Sequence, residues 1–209
     1  MRAKTANQRS QRTRSGGLRP PARAAEPRRY APSKMTKSDL LGIYRTSLNH
    51  IQLTYASLVL WSYPDTPDYF DVLYQELQDI PRPFPRISVL VRDEKAMRIA
   101  CEELYESAHR AALVNLLPPT KLYCHETGQL AKLKAQPWFQ FWRVLRNCVA
   151  HDMRFNFNAS ERALLPIAWS GVTITISMNN KLLTHGLLSR EKIRELVESA
   201  QAFLEQDVG

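Results

Sequence analysis

Four aromatic side chains stand in five consecutive positions, Trp138, Phe139, Phe141 and Trp142, and an amphipathic run to His151 follows them. No other stretch restricts the fold as much. On a helix at about 100° per residue, Trp138, Phe141, Trp142, Leu145, Cys148 and Val149 fall within one arc. Leaving that arc in water would forgo several large burial terms, so a helix over about 137–151 must be packed against other elements.

The rest of the body supplies helices for it to pack on. Leu40, Ile43, Tyr44, Leu48, Ile51, Tyr55, Leu58 and Val59 recur at three- and four-residue steps and predict a helix over 38–62. Thr66 followed by Pro67 reads as an N-cap opening a shorter helix, 67–79. The stretch PRPFPR is a linker, because three prolines in six residues sustain neither helix nor strand. A third helix spans 93–117, with Met97, Ala100, Cys101, Leu104, Tyr105, Ala108, Ala111 and Ala112 inward, and LPPTK ends it. Residues 120–136 are ambiguous, with a short helix around GQLAKLK. Beyond Asp152 the period changes. VTITISM alternates strictly, Asn179–Asn180 suits a two-residue turn, and KLLTHGLL supplies a return strand, which predicts a hairpin at about 171–187. Ser189 caps a last helix over 190–206, with Ile193, Leu196, Val197, Ala200, Phe203 and Leu204 inward. The expected fold is mainly α: a bundle of four to six helices with a small C-terminal hairpin and a final helix.

Charge divides the chain in two. Residues 1–34 hold ten Lys/Arg and one acid, whereas residues 35–209 carry nineteen of each sign. The basic pI therefore belongs to the first 34 residues and not to the body. That segment is rich in Arg, Pro, Ser, Gly and Ala and is expected to be disordered. Three readings stay open for it: non-specific contact with nucleic-acid backbone, a transit-peptide-like leader, or a start of translation at Met35. The longest apolar stretch, around ASLVLW, is far shorter than the roughly 20 residues a bilayer needs. Three widely spaced cysteines, Cys101, Cys124 and Cys148, give no C-x-x-C pair and support neither a disulfide framework nor a zinc site. The expectation is a cytoplasmic protein with no membrane span, no metal and no cofactor.

The polar face of the aromatic helix carries the candidate chemistry. Arg143, Asn147 and Ala150 lie opposite the core arc, and Arg146 and His151 flank that face about 140° apart. Asn147 precedes His151 by four residues, so an amide–imidazole contact is feasible. Arg146, Asn147 and His151 are the candidate catalytic residues, and Arg143 is a solvated surface residue or an auxiliary phosphate contact. Plainer roles exist: a surface arginine, and a histidine that caps a helix C-terminus. Spacing alone does not decide, since RTSLNH, Arg45 to His50, repeats it without an amide directly after the Arg and without the aromatic backing. Cys148 lies on the core arc and His125 in a loop; His50, His109 and His185 carry no constellation. Asp152 either orients His151 or ends the helix.

The segment LRNCVAHD resembles the signature of the HEPN superfamily, an Arg often followed by Asn, then His after a short gap, on a helix of an all-helical bundle. Arg146, Asn147 and His151 match it residue by residue, and the likeness extends over the helical body, about 38–160. The basic tail and the hairpin lie outside that pattern. The resemblance implies a metal-independent ribonuclease, often a toxin or antiviral effector, acting as a homodimer with the motif at the interface and restrained by an antitoxin or regulatory protein. The chemistry agrees. Imidazole transfers protons near neutral pH, and guanidinium grips phosphate oxygens. One His does not serve as both acid and base in a single step, and a two-fold dimer would bring a second copy. The other expectation, from a different class, is a non-catalytic helical interaction or RNA-binding module.

Overall fold

Helix α1 (Lys37–Trp61) begins at a capping box. The Thr36 hydroxyl accepts from Asp39 N at 3.1 Å, and the Asp39 carboxylate accepts from Thr36 N at 2.9 Å. Two backbone donors that a helix start leaves open are thereby satisfied. The computed structural model describes residues 34–79 and 87–208. The basic tail assigned to residues 1–34 falls, but for Lys34, outside the described residues, and so does the whole of the PRPFPR linker.

Among the described residues six helices run ten residues or longer: α1, α2 (Thr66–Glu76), α4 (Glu94–Asn115), α5 (Leu117–Glu126), α7 (Phe139–Ala150) and α9 (Arg190–Gln206). The helices α3 (Ser88–Arg92), α6 (Leu130–Lys134) and α8 (Ala159–Arg162) are single turns. The chain is therefore mainly helical, with a small two-stranded hairpin and a C-terminal helix, as its patterning predicts. Among the described residues no helix is long and apolar enough to cross a membrane.

α7 sits at the centre. Phe141, Trp142 and Leu145 are fully buried, and Phe139 and Val144 nearly so. Trp142 Nε1 donates to the Leu113 carbonyl at 2.8 Å. That carbonyl is one of the last four of α4, the set a helix cannot satisfy internally. Trp138 meets Phe203 of α9 edge-on, with ring centroids 5.9 Å apart. α9 buries the six residues its period selects. The carbonyl of Glu205, in its last turn, and that of Val208, just beyond it, accept from Lys37 Nζ, a cation at the negative end of a helix. Tyr44 OH pairs with Thr120 Oγ1 at 2.8 Å, joining α1 to α5.

Several expectations need correction. LPPTK does end α4, but it also opens α5. Pro118 and Pro119 occupy its first turn, where no backbone N–H is required. The ambiguous segment 120–136 is α5 and α6, and His125 lies in the last turn of α5. The outer half of the α1 stripe stays in solvent, with Tyr55 and Val59 about half exposed.

The hairpin lies earlier than the alternation predicts. β1 (Ile167–Trp169) pairs antiparallel with β2 (Val172–Ile174), in the register Ile167↔Ile174 and Trp169↔Val172. Its turn is Ser170–Gly171, with φ of 46° and 79°. Two positive φ values suit the right-handed twist of a two-residue hairpin. Alternation fails beyond Ile174 because Ile176 finds no core and Ile176–Met178 closes into a 3₁₀ turn. The return segment pairs elsewhere. Phe155 N donates to Lys181 O, Asn180 N to Phe155 O and Leu183 N to Met153 O, at 3.0, 2.6 and 2.7 Å. KLL is thus laid against the chain that leaves α7.

Gly171 has nothing within 4 Å of an added Cβ, so its demand is conformational alone. Gly171→Val should cost about 1–2 kcal/mol in urea unfolding. Gly171→Asn, which tolerates the left-handed region, should cost much less. Equal losses in the two variants would place the cause in packing rather than in backbone conformation.

Candidate functional site

The core face of α7 fixes what its other face can do. Arg146 Nη1 donates to Asn147 Oδ1 at 3.3 Å, and Asn147 Nδ2 donates to Glu161 Oε1 at 2.7 Å. A carboxylate only accepts, so this pairing also fixes the orientation of the amide. Glu161 is 2% exposed and belongs to a second capping box. Its N–H donates to Asn158 Oδ1 at 3.0 Å, and its Oε2 accepts from Asn158 N at 3.1 Å. The start of the short α8 therefore anchors the polar face of α7.

His151 is the residue at which α7 stops. Its φ of −128° takes it out of the helix, and its N–H still reaches the Cys148 carbonyl at 3.2 Å. Asp152 and Met153 follow with φ of 53° and 61°, two left-handed residues in succession. Each costs about 1–2 kcal/mol for a side chain bearing Cβ. Asp152 recovers part through its Oδ1, which accepts from Arg154 N at 3.3 Å. Met153 is held by the bond from Leu183 N. The turn reverses the chain, and Arg154 then reaches the Asn180 carbonyl through Nη1 at 3.1 Å.

These elements enclose an open crevice of about 590 Å³. Asn147, His151, Arg154, Asn158, Glu161 and Asn180 line it, with Val144, Cys148, Phe155 and Phe157 as its apolar part. The floor is inert: burial, and secondarily the charge of Asp152, pushes the Cys148 thiol up to about 12. At neutral pH it stays protonated and is no nucleophile.

Two of the four residues selected from sequence, Asn147 and His151, open into this crevice. Arg146 does not line it; it is half-buried and reaches the crevice only through Asn147. Arg143 is half-buried as well, and it too stays outside the lining. Arg143 Nε and Nη2, Arg146 Nε and Gln140 Oε1 are buried atoms with no hydrogen-bond partner among the described residues. The feasible Asn147–His151 contact is not made, because the amide is committed to Arg146 and Glu161. Asp152 ends the helix and binds its own loop.

Arg154 and Glu161 are the functional candidates that residue spacing missed. Asn158 followed three residues later by Glu161 is a capping-box signature and marks the start of α8, but nothing local shows that Glu161 meets Asn147. Arg154 carries no sequence signal, since the left-handed turn that aims it is made by non-glycine residues. His109 and His185 also differ from expectation. His109 is 1% exposed, with Nδ1 2.9 Å from the Tyr105 carbonyl, and His185 Nε2 lies 3.6 Å from Glu106 Oε1.

Fold and site together define a mainly helical protein with a polar, cation-bearing crevice at the end of its most aromatic helix. No family model matches the chain, and neither a curated protein nor a solved structure matches it.

Glu161→Ala removes the acceptor of the Asn147 amide and of Asn158 N together. Urea unfolding should register a loss of about 1–3 kcal/mol, the range for buried groups left unpaired. An unchanged midpoint would mean that water replaces the carboxylate. Cys148 should resist iodoacetamide at about pH 8 in the folded chain and react in urea; equal labelling in both states would contradict its burial.

Proposed function

We propose that this chain is a metal-independent endoribonuclease of the HEPN kind, cleaving RNA by attack of the 2′-hydroxyl on the adjacent phosphate. One observation carries the reading: His151 opens onto a crevice of ligand-binding size beside Arg154, whose Nε and Nη2 have no partner among the described residues. Imidazole takes the proton of the 2′-hydroxyl or returns one to the leaving 5′-oxygen. Arg154 offers fixed charge and paired donors to the phosphate oxygens as negative charge grows on the phosphorane. Asn147, held by Glu161, supplies the polar wall beside them.

A single His151 carries one proton transfer. A two-fold dimer with its crevices facing would supply the second from the partner copy. The buried, unpartnered N–H groups of Arg143 and Arg146 favour an acceptor brought by RNA or by that copy. Arg146 acts through Asn147, as a positioning residue and not as the phosphate grip. Such an enzyme suits a toxin or antiviral effector restrained by a regulatory protein. Three free thiols agree with the reducing cytoplasm.

A second reading has its own support. Arg146 stands outside the crevice, which suits a non-catalytic RNA-binding or interaction module that keeps the helical frame without the chemistry.

Single-stranded RNA incubated with the full chain and a chelator separates the two. The nuclease reading expects 2′,3′-cyclic phosphate ends and no cleavage of DNA, which lacks the attacking hydroxyl. His151→Ala should lower the rate by about 10²–10⁴-fold, and Arg154→Ala by about 10²–10³-fold, with circular dichroism and oligomeric state unchanged. RNA that the parent binds but leaves intact supports the second reading. Cleavage that needs a divalent metal overturns the mechanism.

A further inference from the structure

A second cavity, of about 310 Å³, lies among α1, α4 and α9, and the nuclease reading makes no use of it. His109 forms part of its wall while being 1% exposed. Its Nδ1 lies 2.9 Å from the Tyr105 carbonyl. A carbonyl can only accept, so Nδ1 carries the hydrogen in that contact. Burial lowers the affinity of the ring for a second proton, chiefly through desolvation. The imidazole is then neutral near pH 7, and Nε2 keeps a lone pair. No described residue donates to it. The ring borders the cavity, so a ligand seated there can supply a donor in place of water.

The rest of the wall tells what else the ligand carries. Arg190 and Arg194 stand in the first turns of the 17-residue helix α9, at its positive end. Arg190 Nε is taken by Glu106 Oε1 at 2.6 Å, and its guanidinium lies 4.9 Å over the Tyr105 ring. Its two Nη groups have no partner among the described residues. Arg194 pairs only through Nε, with Glu198 at 3.4 Å. Two guanidinium ends are thus open to an anion. Glu191 and Glu198 line the same cavity and equal the two arginines in number, which disfavours a dianionic phosphate more than a monoanionic carboxylate. Leu48, Ile51 and the Tyr55–Tyr105 pair, with ring centroids 5.9 Å apart, add an apolar and aromatic wall.

We propose that this cavity binds a small aromatic monocarboxylate bearing a hydroxyl. The carboxylate meets Arg190 and Arg194, the ring lies against the tyrosines, and the hydroxyl donates to His109 Nε2. The inference stands on its own observations, whatever the crevice at His151 does.

Isothermal titration of the full chain at neutral pH tests it, with para-hydroxybenzoate, benzoate and inorganic phosphate as probes. The first should bind with one-to-one stoichiometry below about 1 mM. Benzoate should be weaker by about tenfold, the factor one hydrogen bond confers. His109→Phe keeps a flat ring without the acceptor, and it should abolish the preference for the hydroxylated probe while leaving benzoate bound. Arg194→Gln, at an exposed position that does not threaten folding, should weaken both carboxylates by about fivefold or more. Three results overturn the proposal: no saturable binding by para-hydroxybenzoate, phosphate binding at least as tightly, or an unchanged preference in His109→Phe.

Discussion

Burial of the aromatic face of α7 is the constraint from which the rest of the structure follows. Phe139, Phe141, Trp142, Leu145 and Cys148 are all at 3% exposure or less, and full burial of a large apolar side chain is worth about 1.5–3 kcal/mol. Rotating the helix by one residue would turn part of that surface to water. Its azimuth is therefore set, and with it the direction of Arg143, Arg146 and Asn147. The indole bond from Trp142 to Leu113 adds a positional lock, because a buried N–H has to find an acceptor at one depth along the helix. The polar residues of α7 occupy positions chosen by the apolar ones.

At the end of the helix the energetics run the other way. Two consecutive left-handed residues, Asp152 and Met153, together cost about 2–4 kcal/mol. The three backbone bonds between 153–155 and 180–183 are each worth roughly 0.5–1.5 kcal/mol, so the ladder offsets the strain without a large surplus. Such a turn persists because the packing around it leaves no alternative, and positions of this kind cluster at binding and catalytic sites. The turn has a visible consequence. Without it the chain would continue along the α7 axis, and His151 and Arg154 would not border one crevice.

The parts of this architecture that were legible in the sequence are those with a local cause. α9 was readable to the residue because Ser189 caps it and its six inward residues keep a strict period. The stripe on α7 was readable because no soluble helix leaves four aromatics in water. The hairpin was misplaced because alternation in VTITISM is a statement about faces, and a strand also needs a partner. The partner of Val172–Ile174 comes before it, across Ser170–Gly171, while the apolar KLL satisfies the backbone leaving α7. Asn147 and His151 were identified by type and spacing. Glu161, Arg154 and the surroundings of His109 were not, because their roles depend on contacts between segments 14 to 84 positions apart, which no local pattern encodes.

On the proposed reading, the division of charge separates two tasks that a nucleic-acid enzyme must perform. The body from residue 35 onward carries equal numbers of basic and acidic side chains, and the excess of nine positive charges lies in residues 1–34. A neutral body exerts little long-range pull on a polyanion, so on that reading specificity at the crevice would come from short-range donors, chiefly the guanidinium of Arg154. Affinity for phosphate at a distance would come from the basic segment and would fall steeply with salt. Two acids line the crevice and oppose an incoming phosphate, Asp152 from an exposed position and Glu161 from a buried one. The Glu161 carboxylate is turned instead toward the Asn147 amide and the N–H groups that open α8. That arrangement spends the negative charge inward, on positioning, and leaves the cation of Arg154 facing the opening.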